Sequence, residues 1–150
     1  EQRNALWRAR HHAGLAAAAS RPGCRPWSTD VCVPISRLAD NILAAKADLA
    51  TAPFPSVVLG HIGDGNFHAI LLANPDNADE TAAALCINIA IVERAIASEG
   101  TCTGEHGVGY GKREALRTEL DGAVDVMRAI KHALDPDELM NPGKIFALDG

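Results

Sequence analysis

Hydrophobic and polar positions along the chain change between helical and strand spacing, with glycine or proline at most of the boundaries. Helix formers fill residues 2–19 and give way to Ser-Arg-Pro-Gly, which predicts a first helix. A short β-rich run at residues 30–33 ends at Pro34 and predicts a strand. A second helix is predicted over residues 37–50, with Ser36 as its N-cap. The apolar stripe of this helix consists of Leu38, Ile42, Ala45 and Leu49.

Two apolar runs at residues 57–61 and 67–73 predict a β-hairpin. The connecting Ile-Gly-Asp-Gly-Asn contains glycines, which permit the positive φ angles of a tight turn. We expect a buried strand pair, in which each polar side chain without a partner costs about 1–3 kcal/mol. The polar side chains in this hairpin are His61, Asp64, Asn66 and His68.

The second half of the chain predicts three more helices and a loop. Residues 79–98 form a helix that is apolar on nearly every side, so we expect it to be covered on several sides. Residues 100–112, called the glycine loop below, lack periodicity, and helices follow at residues 113–119 and 122–134. The last helix is expected to pack through Val126, Met127, Ile130 and Leu134. This element order predicts an α+β fold in which helices cover an antiparallel sheet.

Composition and charge limit the function classes. The chain has 150 residues, of which 47% are hydrophobic, and this predicts one globular domain. The formal net charge of -5 and the lack of a Lys/Arg-rich run argue against a nucleic acid as partner. No uncharged apolar stretch reaches the roughly 18–20 residues of a membrane span. The four scattered cysteines form no C-x-x-C pair, so we expect free thiols.

The glycine loop does not match the common phosphate-binding motifs. A P-loop requires a glycine where His106 stands and a hydroxyl residue where Arg113 stands. A dinucleotide-binding motif that starts at Gly107 requires a third glycine where Lys112 stands. The loop therefore has to be explained by other chemistry.

Four residues in two segments form a candidate site, namely His61, His68, Glu105 and His106. A short turn brings both hairpin histidines to one end of the sheet. Two imidazoles and one carboxylate suit a divalent zinc, manganese or iron ion, and the remaining histidine could act as a base. The spacing alone equally allows histidines that are satisfied by other protein groups and water, with Asp64 and Asn66 shaping the turn.

Longer phrases of the sequence resemble a known family. In chain order they are LWRARHH, STDVCVPISRL, GHIGDGNFH, GTCTGEHGVGYGKR and LDPDELMNPGKIF. They resemble the C-terminal, substrate-side domain of FAD-linked oxidases of the vanillyl-alcohol-oxidase type. The resemblance is strongest to the branch with cytochrome-linked D-lactate dehydrogenases and glycolate oxidase subunits. It implies a partial ferredoxin-like fold for residues 1–150.

The resemblance also implies a role for each candidate residue. His61, His68 and Glu105 match the family's metal ligands, and His106 matches its catalytic base. Arg10 matches the arginine that holds the substrate carboxylate, a task that suits its two-pronged guanidinium. Asn66 is implied to contact substrate or to orient the ligands. The implied reaction oxidises D-lactate or a similar D-2-hydroxy acid, such as glycolate, to the 2-oxo acid with hydride transfer to FAD.

The same resemblance implies that this chain is a fragment and inactive by itself. Complete members carry FAD mainly in an N-terminal domain, and nothing in these residues could hold a flavin. Surface exposed by its absence is expected to favour a homodimer. The expected location is cytoplasmic, or peripheral to the inner membrane in the full-length protein. A non-catalytic metal-binding or interaction module that reuses the fold is the alternative.

Overall fold

The computed structural model of the chain describes residues 1–147. Its central strand is β4 (Asn66–Leu71), which pairs antiparallel with β3 (Ser56–His61) across a short turn. Two short strands, β1 (Trp27–Ser28) and β2 (Val31–Cys32), also pair antiparallel with β4. Because Leu71 faces Trp27 and also Ser56, these strands lie on the two opposite edges of β4. The predicted antiparallel sheet and hairpin are confirmed.

Within residues 1–147, five α-helices accompany this sheet: α1 (Gln2–Ala19), α2 (Ile35–Ala50), α3 (Ala78–Ala97), α4 (Arg113–Leu120) and α5 (Gly122–Leu134). Their positions confirm the predicted helices and the α+β class. The Asn77 side chain caps α3, since it accepts hydrogen bonds from the N–H groups of Asp79 and Glu80. Helix α2 instead begins with Pro34 at the N-cap position, so Ser36 lies inside its first turn. The prediction of Ser36 as N-cap is wrong.

The two faces of β4 pack against different parts of the molecule. Phe67, Ala69 and Leu71 belong to the main core, together with buried residues of α2 and α3. Ile70 and Leu72 pack with Ala17 of α1 in a smaller cluster. Because side chains alternate along a strand, Asn66 and His68 lie on the same side as Ile70 and Leu72. This side of the sheet carries the candidate site.

Helix α1 covers this side of the sheet only near its C-terminal end. Ala17 is its buried residue, and most of the helix is exposed. Just after α1, the Arg21 guanidinium donates to both carboxylate oxygens of Glu80 in α3, at 2.7 and 2.9 Å. Hydrogen bonds from Arg21, and then from the Asn74 N–H, hold the pKa of Glu80 at about 2. This bidentate pair fastens the end of α1 to α3.

The packing of α3 and α5 differs in part from the predictions. Leu85 and Ile89 of α3 are 47% and 44% exposed, so the cover expected on several sides of this helix does not extend to these two residues. The stripe on α5 faces outward, and its exposed residues are Val126, Met127, Ile130 and Leu134. Helix α5 instead contributes Val124 to the core. Periodicity identified an apolar face correctly in both helices, but it could not tell which part of that face the rest of the domain covers.

Candidate metal and substrate site

The polar residues of the hairpin divide into a buried pair and an exposed pair. Asn66 and His68 are buried on β4, while His61 and Asp64 are exposed, so the expectation of four buried groups is wrong for two of them. His61 pairs with Asn66 across the hairpin and therefore lies diagonally from His68 on the same face. The two imidazole rings are 6.4 Å apart and nearly perpendicular. The prediction that both histidines share one end of the sheet is confirmed.

The backbone between β1 and β2 holds the ring of His68. The two strands pair with β4 in the same register, but Thr29, which lies between them, accepts the hydrogen bond from Ala69 with its side chain and not with its carbonyl. The Thr29 hydroxyl accepts the Ala69 N–H at 2.8 Å, and this frees the Thr29 carbonyl to accept a hydrogen bond from His68 Nδ1 at 3.0 Å. The ring is thereby fixed with Nδ1 as a donor. His68 Nε2 lies 3.0 Å from Glu105 Oε1 in the glycine loop.

Asp30 is the residue that sequence reasoning missed. It is completely buried, and its carboxylate accepts hydrogen bonds from three successive backbone N–H groups of the glycine loop, those of Gly104, Glu105 and His106. Burial alone would raise the pKa of Asp30, but the hydrogen bonds from the loop N–H groups and from Asn66 outweigh it and hold the pKa well below its usual value. The sequence offered only one weak signal, an aspartate among the buried positions of a short strand.

The close contact between the loop and the sheet requires glycine at position 104. A Cβ atom on Gly104 would lie 1.9 Å from Asn66 Nδ2 and 2.9 Å from Asp30 Oδ1. Any side chain there would push the loop away from β4. The glycine-rich composition thus serves close packing at this point, not phosphate binding.

Glu105 brings the candidate ligands together. Its Oε1 atom lies 3.0 Å from His68 Nε2, 3.7 Å from His61 Nε2 and 3.6 Å from His106 Nε2. Tetrahedral bonds of about 2.0–2.1 Å to a zinc ion would put neighbouring ligand atoms about 3.3 Å apart. The ligand atoms of His61, His68 and Glu105 all lie within 4.8 Å of one another, which fits that geometry.

The contacts of His68 provide a chemical reason for a cation. Its Nδ1 faces a carbonyl oxygen and its Nε2 faces a carboxylate oxygen, and both of these oxygens only accept hydrogen bonds. A neutral imidazole donates from one nitrogen only, so the second contact needs either another proton or a metal ion. With Nδ1 already donating to Thr29, Nε2 presents its lone pair as metal-bound histidines do.

A second group of possible ligands, Asp30, His68 and His106, has its atoms within the same distance. It is a poor metal site because the Asp30 carboxylate is already surrounded by donors. His68 Nδ1 is also engaged by Thr29. The geometry therefore favours His61, His68 and Glu105.

His106 lies beside the ligands, where its ring contacts both His68 and Glu105. It stacks on His68 with ring centres 4.9 Å apart and an interplanar angle of 7°. Its backbone is anchored to Asp30, whereas the side chain is 47% exposed. A cavity of about 550 Å³ opens beside His106, lined partly by Met140, Ile145 and Phe146 of the C-terminal segment. A small substrate can therefore reach this ring.

Arg10 and Asn66 are both neighbours of the candidate ligand His61. Arg10 Nη2 on α1 donates to His61 Nδ1 at 3.2 Å, and its guanidinium lies 5.5 Å from the Trp7 ring centre. Asn66 Nδ2 donates to Asp30 Oδ1 and to the Val31 carbonyl. The Asn66 Oδ1 atom is buried and has no hydrogen-bond partner within residues 1–147. Asp64 stands in the 3-10 turn Ile62–Asp64, where its carbonyl accepts from the Cys32 thiol.

The cysteines take no part in this constellation. All four are free thiols, as predicted. Cys102 is completely buried next to Glu119, and burial together with this carboxylate raises the pKa of its thiol to about 12. It is therefore protonated at neutral pH and a poor nucleophile.

None of the helices within residues 1–147 is long and apolar enough to cross a membrane.

Comparison with known proteins gives consistent matches over nearly the whole chain. It is 50% identical over 149 residues to a probable mitochondrial D-lactate dehydrogenase of Danio rerio, covering 99% of this chain and 30% of the relative. It is 42% identical over 147 residues to the mitochondrial D-lactate dehydrogenase [cytochrome] of Arabidopsis thaliana, covering 97% and 26%. It is 39% identical over 155 residues to the glycolate oxidase subunit GlcD of Bacillus subtilis, covering 99% and 32%.

The chain thus spans about 30% of the length of the first of these relatives. The model of the family described as FAD linked oxidases, C-terminal domain, matches residues 1–145. The resemblance inferred from the sequence phrases is confirmed, and this chain belongs to the family of FAD-linked oxidase C-terminal domains.

Proposed function

We propose that this domain forms the metal-binding and substrate-binding side of a flavin-dependent dehydrogenase for D-2-hydroxy acids. The substrate would be D-lactate or a similar acid, including glycolate, and the product would be the 2-oxo acid. The names of the relatives support this substrate class. The single observation that carries the proposal is the convergence of His61 and His68 on Glu105, with the partly exposed ring of His106 beside them.

The ligand set fits a divalent zinc, manganese or iron ion. His61, His68 and Glu105 would hold it, and the Thr29 carbonyl would keep His68 in the required tautomer. A cation held there would draw electron density from a substrate hydroxyl and lower its pKa, as it does for bound water.

The protein side chains have separate tasks in this proposal. Arg10 would bind the substrate carboxylate through its guanidinium, which lies at the exposed side of the site. His106 would take the hydroxyl proton on its ring nitrogen, since this ring is exposed and only its backbone is anchored. The orphaned Oδ1 of Asn66 supports a role for this residue in substrate contact or ligand orientation.

FAD, which the family description names, would supply the hydride acceptor. The cavity of about 550 Å³ beside His106 is large enough for a small hydroxy acid next to this ring. The residues that bind FAD would lie mainly in the part of the longer enzyme that this chain does not contain. We therefore expect the isolated domain to be inactive.

Metal binding by the isolated chain provides the first test. After treatment with a chelator, calorimetric titration with Zn²⁺ or Mn²⁺ should show one ion per chain. Glu105→Gln should weaken binding at least about tenfold, because the amide oxygen is a much poorer ligand. Glu114→Gln is the matched control, since Glu114 is an exposed carboxylate on the neighbouring helix. Equal effects of both substitutions, or a wild-type chain that binds no ion, would contradict the metal site.

Catalysis has to be tested in an enzyme that contains this domain together with its flavin. His106→Ala should abolish reduction of the flavin by D-lactate while the metal content stays unchanged. Measurement of flavin absorbance after anaerobic mixing with D-lactate gives the rate. Unchanged reduction would reject His106 as the base, whereas a wild-type enzyme whose flavin is not reduced by D-lactate would favour a non-catalytic module.

We also propose self-association through apolar side chains that the described part of the chain leaves exposed. Examples are Ile130 and Leu134 on α5 and Ile89 on α3. Light scattering should show a dimer of the isolated chain at high concentration. A strict monomer would reject this proposal.

For the cellular location, we propose the cytoplasm or the periphery of an inner membrane. The relatives from Danio rerio and Arabidopsis thaliana are named as mitochondrial. Fractionation of cells that produce the full-length protein, followed by a salt wash of the membranes, would test this. Protein that stays in the membrane after the wash would contradict it.

A further inference from the structure

Asp30 is the connection between the glycine loop and the strand that carries His68. Its Oδ1 atom accepts from Asn66 Nδ2 at 2.9 Å, which ties it to β4 two residues before His68. Its Oδ2 atom accepts from the Thr103 hydroxyl at 2.9 Å and from the His106 N–H at 3.0 Å. One carboxylate thus holds both the strand and the loop.

We propose that Asp30 is a positioning residue that shapes the glycine loop, so that Glu105 and His106 are presented to His68. The inference rests on the proposed function for what the assembled site does. Three successive N–H groups pointing at one oxygen pair form an anion-binding nest, and its anion is supplied by the protein itself. The loop therefore has its active shape without any bound ligand.

Lys112 completes this arrangement. Its ammonium donates to the Asp30 carbonyl at 2.6 Å and lies 3.4 Å from Oδ2, with only 15% of its side chain exposed. This contact compensates the buried negative charge. It also explains the Gly-Lys pair at the end of the loop, which resembles part of a phosphate-binding motif but contacts the backbone carbonyl and the carboxylate of Asp30 instead.

Other residue types do not satisfy the same donors. Asparagine would replace one acceptor oxygen by an NH₂ group, which would face the N–H donors of the loop. Glutamate would need room for one more methylene where Asp30 is already fully buried. We therefore expect neither residue to restore the loop.

Amide hydrogen exchange measured by NMR tests the proposal on the chain itself, with no metal required. In Asp30→Asn, the amides of Gly104, Glu105 and His106 should lose protection at least tenfold, while the amides paired between β3 and β4 stay protected. Asp40→Asn, which removes the same charge from an exposed site on α2, should change none of them. Unchanged protection of the three loop amides in Asp30→Asn would overturn the proposal.

Calorimetry then measures the effect on the ligands. Asp30→Asn should weaken Zn²⁺ or Mn²⁺ binding about 10- to 100-fold, as expected when a residue that orients ligands is lost. If Asp30→Asn exposes the loop amides but leaves the affinity for Zn²⁺ or Mn²⁺ unchanged, the positioning role is overturned. If the wild type binds no ion but the substitution still exposes the loop amides, the proposed function fails and the ordering of the loop by Asp30 stands.

A milder pair of variants covers the case that Asp30→Asn does not fold. Thr103→Val and Lys112→Met each remove one donor and keep the carboxylate. Each should reduce the protection of the Gly104–His106 amides by a smaller factor than Asp30→Asn, with β4 unchanged. Full protection in both variants would overturn the proposal.

Discussion

The two hairpin histidines occupy similar positions in the sequence but very different surroundings. His68 is 4% exposed, is held by the Thr29 carbonyl and stacks on His106. His61 is exposed and contacts the exposed side chain of Arg10. Both histidines lie on the sheet, but the buried side chain of His68 is the fixed half of the site and the exposed side chain of His61 is the half that can adjust.

The contact between Arg10 and His61 adds to the difference between the two histidines. A guanidinium can only donate, so His61 Nδ1 must accept and carry no proton. A histidine that binds a metal through Nε2 normally donates from Nδ1 instead. The contact seen here and metal binding by His61 Nε2 therefore exclude each other, and we expect Arg10 to leave His61 when the metal binds. This release would make the guanidinium available to a substrate carboxylate.

The largest effect is expected from filling the space between the fixed half and the glycine loop. Gly104→Ala would place a methyl group 1.9 Å from Asn66 Nδ2, so it should destabilise the fold by about 1–3 kcal/mol and abolish metal binding. Gly111→Ala is the control, because no atom lies within 4 Å of its added Cβ. Urea unfolding and calorimetry measure both quantities. Equal stability of the two variants would mean that the loop does not need its close approach to β4.

Alanine substitution of each histidine tests the comparison directly. His68→Ala should lower the free energy of unfolding by about 1–3 kcal/mol, because the buried Thr29 carbonyl loses its partner. His61→Ala should change it by less than about 0.5 kcal/mol, as is usual for an exposed residue. Metal affinity should fall in both variants and more in His68→Ala, since its ring is already oriented. Equal effects on stability and affinity would show that the two halves are equally rigid.

The smallest effect concerns the attachment of α1, the helix that carries Arg10. Arg21 holds the pKa of Glu80 at about 2, below its ordinary value of 4.5. This pair should therefore contribute fully to stability above about pH 4.5 and lose its contribution as the pH falls toward 2. Thermal unfolding at several pH values should show a steeper acid decline in the wild type than in Glu80→Gln. Identical pH profiles would indicate that the pair contributes nothing.

Local sequence patterns were sufficient to predict most of the secondary structure and the main ligand candidates. The bounds of α1 match the predicted residues 2–19, and the hairpin lies where alternating apolar residues and glycines predict it. His61, His68, Glu105 and His106 could be selected because their residue types are unusual in their apolar or glycine-rich surroundings. Local spacing is sufficient for such conclusions, since helices, turns and strand faces depend on neighbouring residues.

The residues that hold these candidates in place could be identified only from contacts in the folded chain. Asp30 stands 76 positions before His106, and no local pattern marks its backbone contacts with the glycine loop. The exposure of the apolar stripe on α5 could not be predicted either. Such a stripe shows that a helix has an apolar face, but it does not show whether another segment packs against that face. Contacts of this kind depend on where distant segments meet in space. The ligands could therefore be proposed from the sequence, whereas the carboxylate that positions them became visible only in the fold.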